Sequence, residues 1–466
     1  MPMNSKFPVF RRIPPGVQCF FRVELKNNGS ALFIVSFKDC RSVVKCKKAS
    51  TVRTQDREEP LFINAVFIRV RDGEVSNKAN GGVCRHGCLS EACVHLPRWE
   101  ATVHLWRWRR CRVLENQFGG VSMSSDYAND PRIDPRIKAI LAAMPSFAAP
   151  DVKDREAMLA QANSPESLEG MNAYRFAMSM CDNEDAAPSK GLRITEEKVI
   201  SQPDGNTINI RVIRPDTNDV LPCLYYIHGG GMASLSCYDG NYSAWGRILA
   251  AKGVAVVMVD FRNAVSPSSV PEVAPFPAGL NDCVSGLKWI HTNAASLKVD
   301  ASRIVVAGES GGGNLTLATA LSLKQKNELN LIAGIYALCP YIAGKWPLPE
   351  NPSSTENNGI FLDLHNNNGA MGYGIEAFNA RNPLAWPSFA TEKDVTGFPP
   401  TVISVNECDP LRDEGINFYR MLLRAGVAAR GRTVLGTTHG IEIMPIACPD
   451  ITDAAASEIV AFVQSL

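Results

Sequence analysis

Seven short apolar runs punctuate the chain: 207–213, 221–227, 254–260, 303–307, 331–338, 400–405 and 431–435. Several are continuous rather than alternating, as in Leu221-Pro222-Cys223-Leu224-Tyr225-Tyr226-Ile227 and Arg303-Ile304-Val305-Val306-Ala307. A strand covered on both faces has no polar side to show, so it reads as an unbroken apolar run. The stretches between the runs carry helical spacing, for example Asn314 to Leu321. Strands separated by helices predict an α/β fold with a mostly parallel, doubly wound central sheet flanked by helices.

Upstream of the runs the period is helical. Asp134 and Pro135 open a segment to Met144 in the order of a cap and a first helical residue. A second helix, near 165–180, places Leu168, Met171, Tyr174 and Met178 three to four residues apart on one face. A polar, Asn-rich insertion at about 341–380, with Phe361, Leu362, Met371 and Tyr373 interspersed, falls between two strands. The predicted organisation is a helical segment at 123–200, then a catalytic domain at 201–466 that carries the insertion.

Both pattern and composition break near Met123. Residues 1–122 hold 21 Lys+Arg against 10 Asp+Glu, and seven of the fourteen cysteines. They contain strand-like fragments at Ala31–Val35 and Phe62–Ile68, and the run Trp106-Arg107-Trp108-Arg109-Arg110. Three readings compete. One is a basic domain that binds an acidic partner such as nucleic acid. Another is a metal module of Cys84, His86, Cys88, Cys93 and His95, whose spacing matches no common zinc pattern and lacks a second distal pair. The third, which is favoured, is an extension outside the native catalytic unit, with translation starting at Met123.

The remaining composition is ordinary for a globular protein. The chain has 466 residues and is 45% hydrophobic. The longest apolar run, Leu331 to Pro340, is half of the roughly 20 residues that span a bilayer. Phe7–Val9 is followed at once by Arg11, Arg12, Pro14 and Pro15, which is no secretory signal, so a cytoplasmic location is expected and the cysteines read as free thiols.

The chemistry sits at the strand ends. Gly308-Glu309-Ser310-Gly311-Gly312 joins an apolar strand to a helix. A Gly-x-Ser-x-Gly turn in that place is a nucleophile elbow, whose glycines leave room for a sharp turn that exposes the serine. His228-Gly229-Gly230-Gly231 follows another strand, and three glycines let the backbone curl so that its amides face one point. The amides of Gly230, Gly231 and Gly311 are the candidate oxyanion donors. His228, inside that loop, is read as orienting it. An acid and then a histidine must follow the serine. Asp409 lies just past the 400–405 run, with Glu407 and Asp413 as rivals; Asp413 suits the first turn of the next helix. Of seven histidines only His439 comes after both serine and acid. His291 reads as structural, and His365 sits in the polar insertion.

Together, His-Gly-Gly-Gly, Gly-Glu-Ser-Gly-Gly-Gly, Asp-Pro-Leu-Arg-Asp-Glu-Gly and Thr-His-Gly resemble the hormone-sensitive lipase-like family of α/β-hydrolase carboxylesterases, over residues 125–466. Val259–Ala264, Phe276-Pro277-Ala278 with Asp282, and Asn382–Ala385 fit as well. The chain departs at Gly311 and Glu309, where the family commonly has Ala and Asp, and in a longer loop at 265–274. The resemblance implies Ser310 as nucleophile, Asp409 as acid and His439 as base, with a helical cap built from the N-terminal segment and the insertion. It implies hydrolysis of short- to medium-chain acyl esters with no cofactor and no metal. A small-molecule ester is the expected partner, with neither nucleic acid nor membrane; dimerisation through 431–466 is common in the family. A lactonase or an amidase would use the same triad, and Phe261-Arg262-Asn263-Ala264 resembles a lactone-hydrolysing branch. A non-catalytic ligand-binding protein on this fold would be expected to have lost a triad residue.

Overall fold

The computed structural model describes residues 18–25, 31–38, 127, 129–142 and 148–466. Phe62–Ile68, Trp106–Arg110 and the Cys84, His86, Cys88, Cys93 and His95 group lie outside the described residues. The chain divides into two compact units, Met1–Gly120 and Val121–Leu466. In the first, β1 (Gln18–Leu25) and β2 (Ala31–Lys38) pair antiparallel from Gln18↔Lys38 to Leu25↔Ala31.

The second unit is built on eight strands: β3 (Leu192–Ile200), β4 (Thr207–Pro215), β5 (Leu221–Ile227), β6 (Ala255–Asp260), β7 (Val299–Glu309), β8 (Gly334–Leu338), β9 (Thr401–Asn406) and β10 (Ala429–Val434). Their order is β10-β9-β8-β7-β5-β6-β4-β3, and only the pairings of β4, with β6 and with β3, are antiparallel. The helices are α1 (Pro135–Leu141), α2 (Arg155–Ala162), α3 (Pro165–Ser179), α4 (Gly240–Ala251), α5 (Ala278–Leu297), α6 (Gly311–Gln325), α7 (Ser353–Glu356), α8 (Asn368–Tyr373), α9 (Ile375–Asn379), α10 (Glu392–Val395), α11 (Arg412–Arg424) and α12 (Pro449–Gln464). None among the described residues is long and apolar enough to cross a membrane.

The sheet divides the core in two. Successive side chains of a strand point to opposite faces. On β5, Cys223, Tyr225 and Ile227 pack with residues of α5, α6 and α11, such as Leu287, Leu317 and Phe418. Leu224 and Tyr226 pack on the other face with residues of α1, α3, α4 and α12, such as Ile137, Tyr174, Trp245 and Ile459. This two-sided cover is why the central runs carry no alternation.

Some elements differ from the expectation. β3 was not anticipated: it is an edge strand, and only Val199 of its nine residues is buried. β7 extends upstream of 303–307 to Val299, and the run at 331–338 opens with a single tight turn at Leu329–Leu331 before β8. Asp134 caps α1 as read, its side chain accepting from the Arg136 amide. On α3, Tyr174 and Met178 are buried, Met171 is partly covered and Leu168 is exposed, so the predicted apolar face docks only at its C-terminal end.

The N-terminal helices and the insertion meet. Asn367 accepts from the Val152 amide and donates to the Val152 carbonyl, while Arg155 donates to the carbonyls of Gly372 and Ala264. The insertion is fixed at its base by the buried Glu414 of α11. Glu414 accepts from the amides of Ile342 and Ala343 and from the Trp346 indole. Burial pushes its carboxyl up to about 8 in spite of those three donors, as expected where a carboxylate is fully desolvated.

Candidate active site

β7 ends at Glu309 and α6 begins at Gly311, so Ser310 alone makes the turn, at φ 56° and ψ −120°. An L-residue pays steric energy in that region, and the surrounding backbone must hold it there. The Ser310 amide donates to the Leu338 carbonyl, and its carbonyl accepts from the amides of Tyr341 and Asn314. The flanking glycines are required by space. A Cβ on Gly308 would lie 2.5 Å from the Ile227 carbonyl oxygen, and one on Gly312 would lie 2.0 Å from it.

The glycine loop leaves β5 with three successive residues in the left-handed region: Gly230 at φ 93°, Gly231 at 64° and Met232 at 57°. The curl brings it against the elbow. A Cβ on Gly311 would stand 2.5 Å from the Met232 nitrogen and 2.7 Å from the Gly231 nitrogen. Among the described residues, the amides of Gly230, Gly231 and Gly311 have no acceptor. A second strut joins loop and elbow. Glu309 accepts from the hydroxyls of Tyr226 (2.7 Å) and Tyr242 (2.6 Å), and the Tyr242 hydroxyl accepts from the Gly229 amide at 3.0 Å. Burial pushes the Glu309 carboxyl up to about 7, although the two hydroxyls favour its charge. His228 is wholly buried, stacks on Phe261 at 4.3 Å and contacts the Gly229 carbonyl through Nδ1 at 2.9 Å. Burial pushes its ring below the usual histidine range, which suits a neutral brace for the loop.

β9 and β10 supply the acid and the histidine. His439 Nδ1 lies 2.8 Å from Asp409 Oδ2, and both side chains are buried. The other Asp409 oxygen accepts from the Leu411 amide at 2.9 Å. The rival acids are engaged elsewhere: Glu407 accepts from the Gly436 amide, and Asp413 from the Ser353 amide. His291 and His365 bond the carbonyls of Leu331 and Ser354, as structural histidines do. Burial opposes charging the His439 ring, but Asp409 and Cys339 beside it together outweigh burial and move the ring well above the usual histidine range.

Two neighbours were not legible in the sequence. Phe361 of the insertion lies over His439, ring centroids 6.3 Å apart. Cys339, the first residue after β8, brings its sulfur within 4.8 Å of a His439 ring nitrogen and an Asp409 oxygen. It also follows Leu338, whose carbonyl accepts from the Ser310 amide, so the end of β8 contacts the elbow. The one available signal for Cys339 was its position: ligands of open α/β sheets gather at the carboxyl ends of the strands.

The arrangement is a strained serine, a histidine–carboxylate pair and a curl of free amides, all at one end of a mostly parallel sheet. A family model of the alpha/beta hydrolase fold matches residues 224–443. Carboxylesterase NlhH from Mycobacterium tuberculosis is 30% identical over 344 residues, covering 72% of this chain and 97% of that protein. The chain belongs to the carboxylesterases of the α/β-hydrolase fold. Among solved structures, esterase Est22 is 64% identical with a TM-score of 0.71, covering 72% of this chain and 99% of that one. Brefeldin A esterase, a bacterial homologue of human hormone-sensitive lipase, is 34% identical with a TM-score of 0.64 over 72% of this chain and 94% of its own. The resemblance read from the motifs therefore holds, and this carboxylesterase is hormone-sensitive lipase-like.

Proposed function

We propose that Ser310 is the nucleophile of this carboxylesterase, His439 its base and Asp409 the group that orients the base, acting on short- to medium-chain acyl esters. The observation that carries the reading is the buried 2.8 Å contact between His439 Nδ1 and Asp409 Oδ2. With the Nδ1 proton held by the carboxylate, Nε2 keeps its lone pair for the serine proton. Ser310 Oγ attacks the ester carbonyl while His439 takes the hydroxyl proton. The negative oxygen is received by the amides of Gly230, Gly231 and Gly311. His439 returns the proton to the departing alcohol, leaving an acyl-serine. Water, giving its proton to His439, then releases the acid and restores the serine.

For the chain-length preference we take Phe361, whose ring lies 6.3 Å from that of His439 between centroids, as the group that limits the space beside the base. Est22 has been seen with p-nitrophenol, the alcohol half of a convenient ester series. The test is hydrolysis of p-nitrophenyl esters of increasing acyl length beside matched anilides and lactones. Rates that peak at short or medium esters support the proposal, while a preference for anilides or lactones transfers the triad to an amidase or a lactonase. Ser310→Ala must abolish turnover, and a variant with wild-type rates would remove Ser310 from the role. We infer a cytoplasmic setting from the seven cysteines among the described residues, all free and buried. Size-exclusion chromatography tests a homodimer formed through β10 and α12.

A further inference from the structure

The same end of the sheet holds a second chemistry. Cys339, His439 and Asp409 each offer a ligand atom, and the three atoms lie within 4.8 Å of one another. The residues come from three separate strand ends, and Cys339, Asp409 and His439 are 1%, 0% and 5% exposed. The thiol is not there by slack. Cys339 is held at φ 33°, in the left-handed region, by its amide donating to Ser404 and by the Leu338 carbonyl taking the Ser310 amide.

We propose that Cys339, His439 and Asp409 form an inhibitory site for a thiophilic divalent cation, of which Zn²⁺ is the model, and that occupancy switches the esterase off by capturing its base. Thiolate with imidazole selects zinc and its soft neighbours over magnesium and calcium. A tetrahedral zinc centre takes three protein ligands and leaves one position for water, with bonds of roughly 2.0–2.3 Å. Side-chain rotation must adjust the three atoms to those lengths, and on Nδ1 the His439–Asp409 contact of 2.8 Å would have to open to admit the cation. The thiol proton leaves to solvent as the sulfur bonds the cation. If the cation takes His439 Nδ1, the imidazole proton moves to Nε2, which becomes a donor and can no longer accept from serine. If it takes Nε2, the lone pair itself is consumed. On either nitrogen the neutral ring ceases to be a base.

The inference rests on His439 as base for its effect on turnover, but not for its effect on binding, so two readouts separate them. In the first, p-nitrophenyl ester hydrolysis by the full chain is titrated with zinc, with magnesium as control, and then treated with a chelator. Each variant is scored against its own metal-free rate. Zinc should inhibit, the chelator should restore the rate, magnesium should do nothing, and Cys339→Ala and Cys339→Ser should each raise the inhibitory concentration at least tenfold. In the second, Co²⁺ replaces zinc, and thiolate-to-cobalt absorption is followed in wild type, Ser310→Ala and the two Cys339 variants. The band should form in wild type and in Ser310→Ala, and be lost in both Cys339 variants. Zinc inhibition that survives both Cys339 substitutions, or a wild-type chain with no cobalt–thiolate band, overturns the proposal. A band without loss of turnover keeps the site but removes its inhibitory role, and points to a different base.

Discussion

At the scale of the residue, two groups set the chemistry's limits. On the proposed mechanism His439 must be neutral to accept a proton, so activity belongs to the pH range above its ionisation. Asp409 and Cys339 beside it favour the charged ring, which moves that ionisation upward from the usual value near 6.5. The acid limb of a kcat/KM–pH profile should therefore fall above about 6.5, the value of an unperturbed imidazole. A midpoint below that value would falsify the placement of this pair at the rate-controlling proton transfer. Gly311 is the second. A Cβ there would press on the nitrogens of Gly231 and Met232. Gly311→Ala should displace the loop and lower kcat by up to about 10²-fold, the lower end of what losing one oxyanion donor costs. Steady-state kinetics on one short ester decides it, since an unchanged kcat would mean that the loop yields freely.

At the scale of the element, what was legible depended on how much of a segment's environment its own sequence encodes. The elbow was readable because strand, glycine and helix must all adjoin Ser310 in the chain. The order of Asp409 and His439 was readable because the strands deliver them in succession. β3 was not readable: Arg193, Thr195 and Glu196 face solvent on an edge, and Ile194 is exposed too, so no alternation marks it. Nor was the Glu309–Tyr242–Gly229 strut, or the approach of Cys339, because each joins residues from separate elements. The insertion shows the energetic side of the same point. It is tied to α11 by Glu414, whose raised ionisation makes folding favour its protonated form. That contribution is fully present below the unfolded value of about 4.5 and is lost as pH rises through about 8. The urea midpoint should accordingly decline across that window, and Glu414→Gln should flatten the decline. A variant with the same slope as wild type would clear Glu414 of responsibility.

At the scale of the whole molecule, every group assigned here to catalysis lies in the unit Val121–Leu466. Deleting residues 1–122 should leave ester hydrolysis at its full rate, as measured by kcat on p-nitrophenyl esters, and a truncated chain that cannot fold or turn over would show that the first unit is needed after all. Within the second unit, the groups proposed for catalysis follow the tips of β5, β7, β9 and β10, whereas the N-terminal helices and the 341–380 insertion lie outside the sheet, before β3 and between β8 and β9. Those segments are free to lengthen, shorten or be exchanged while the strand tips stay put. Grafting the 341–380 stretch of another esterase onto this sheet should thus retune which molecules enter without disarming what happens to them, a division of labour that makes the protein a chassis for altered selectivity.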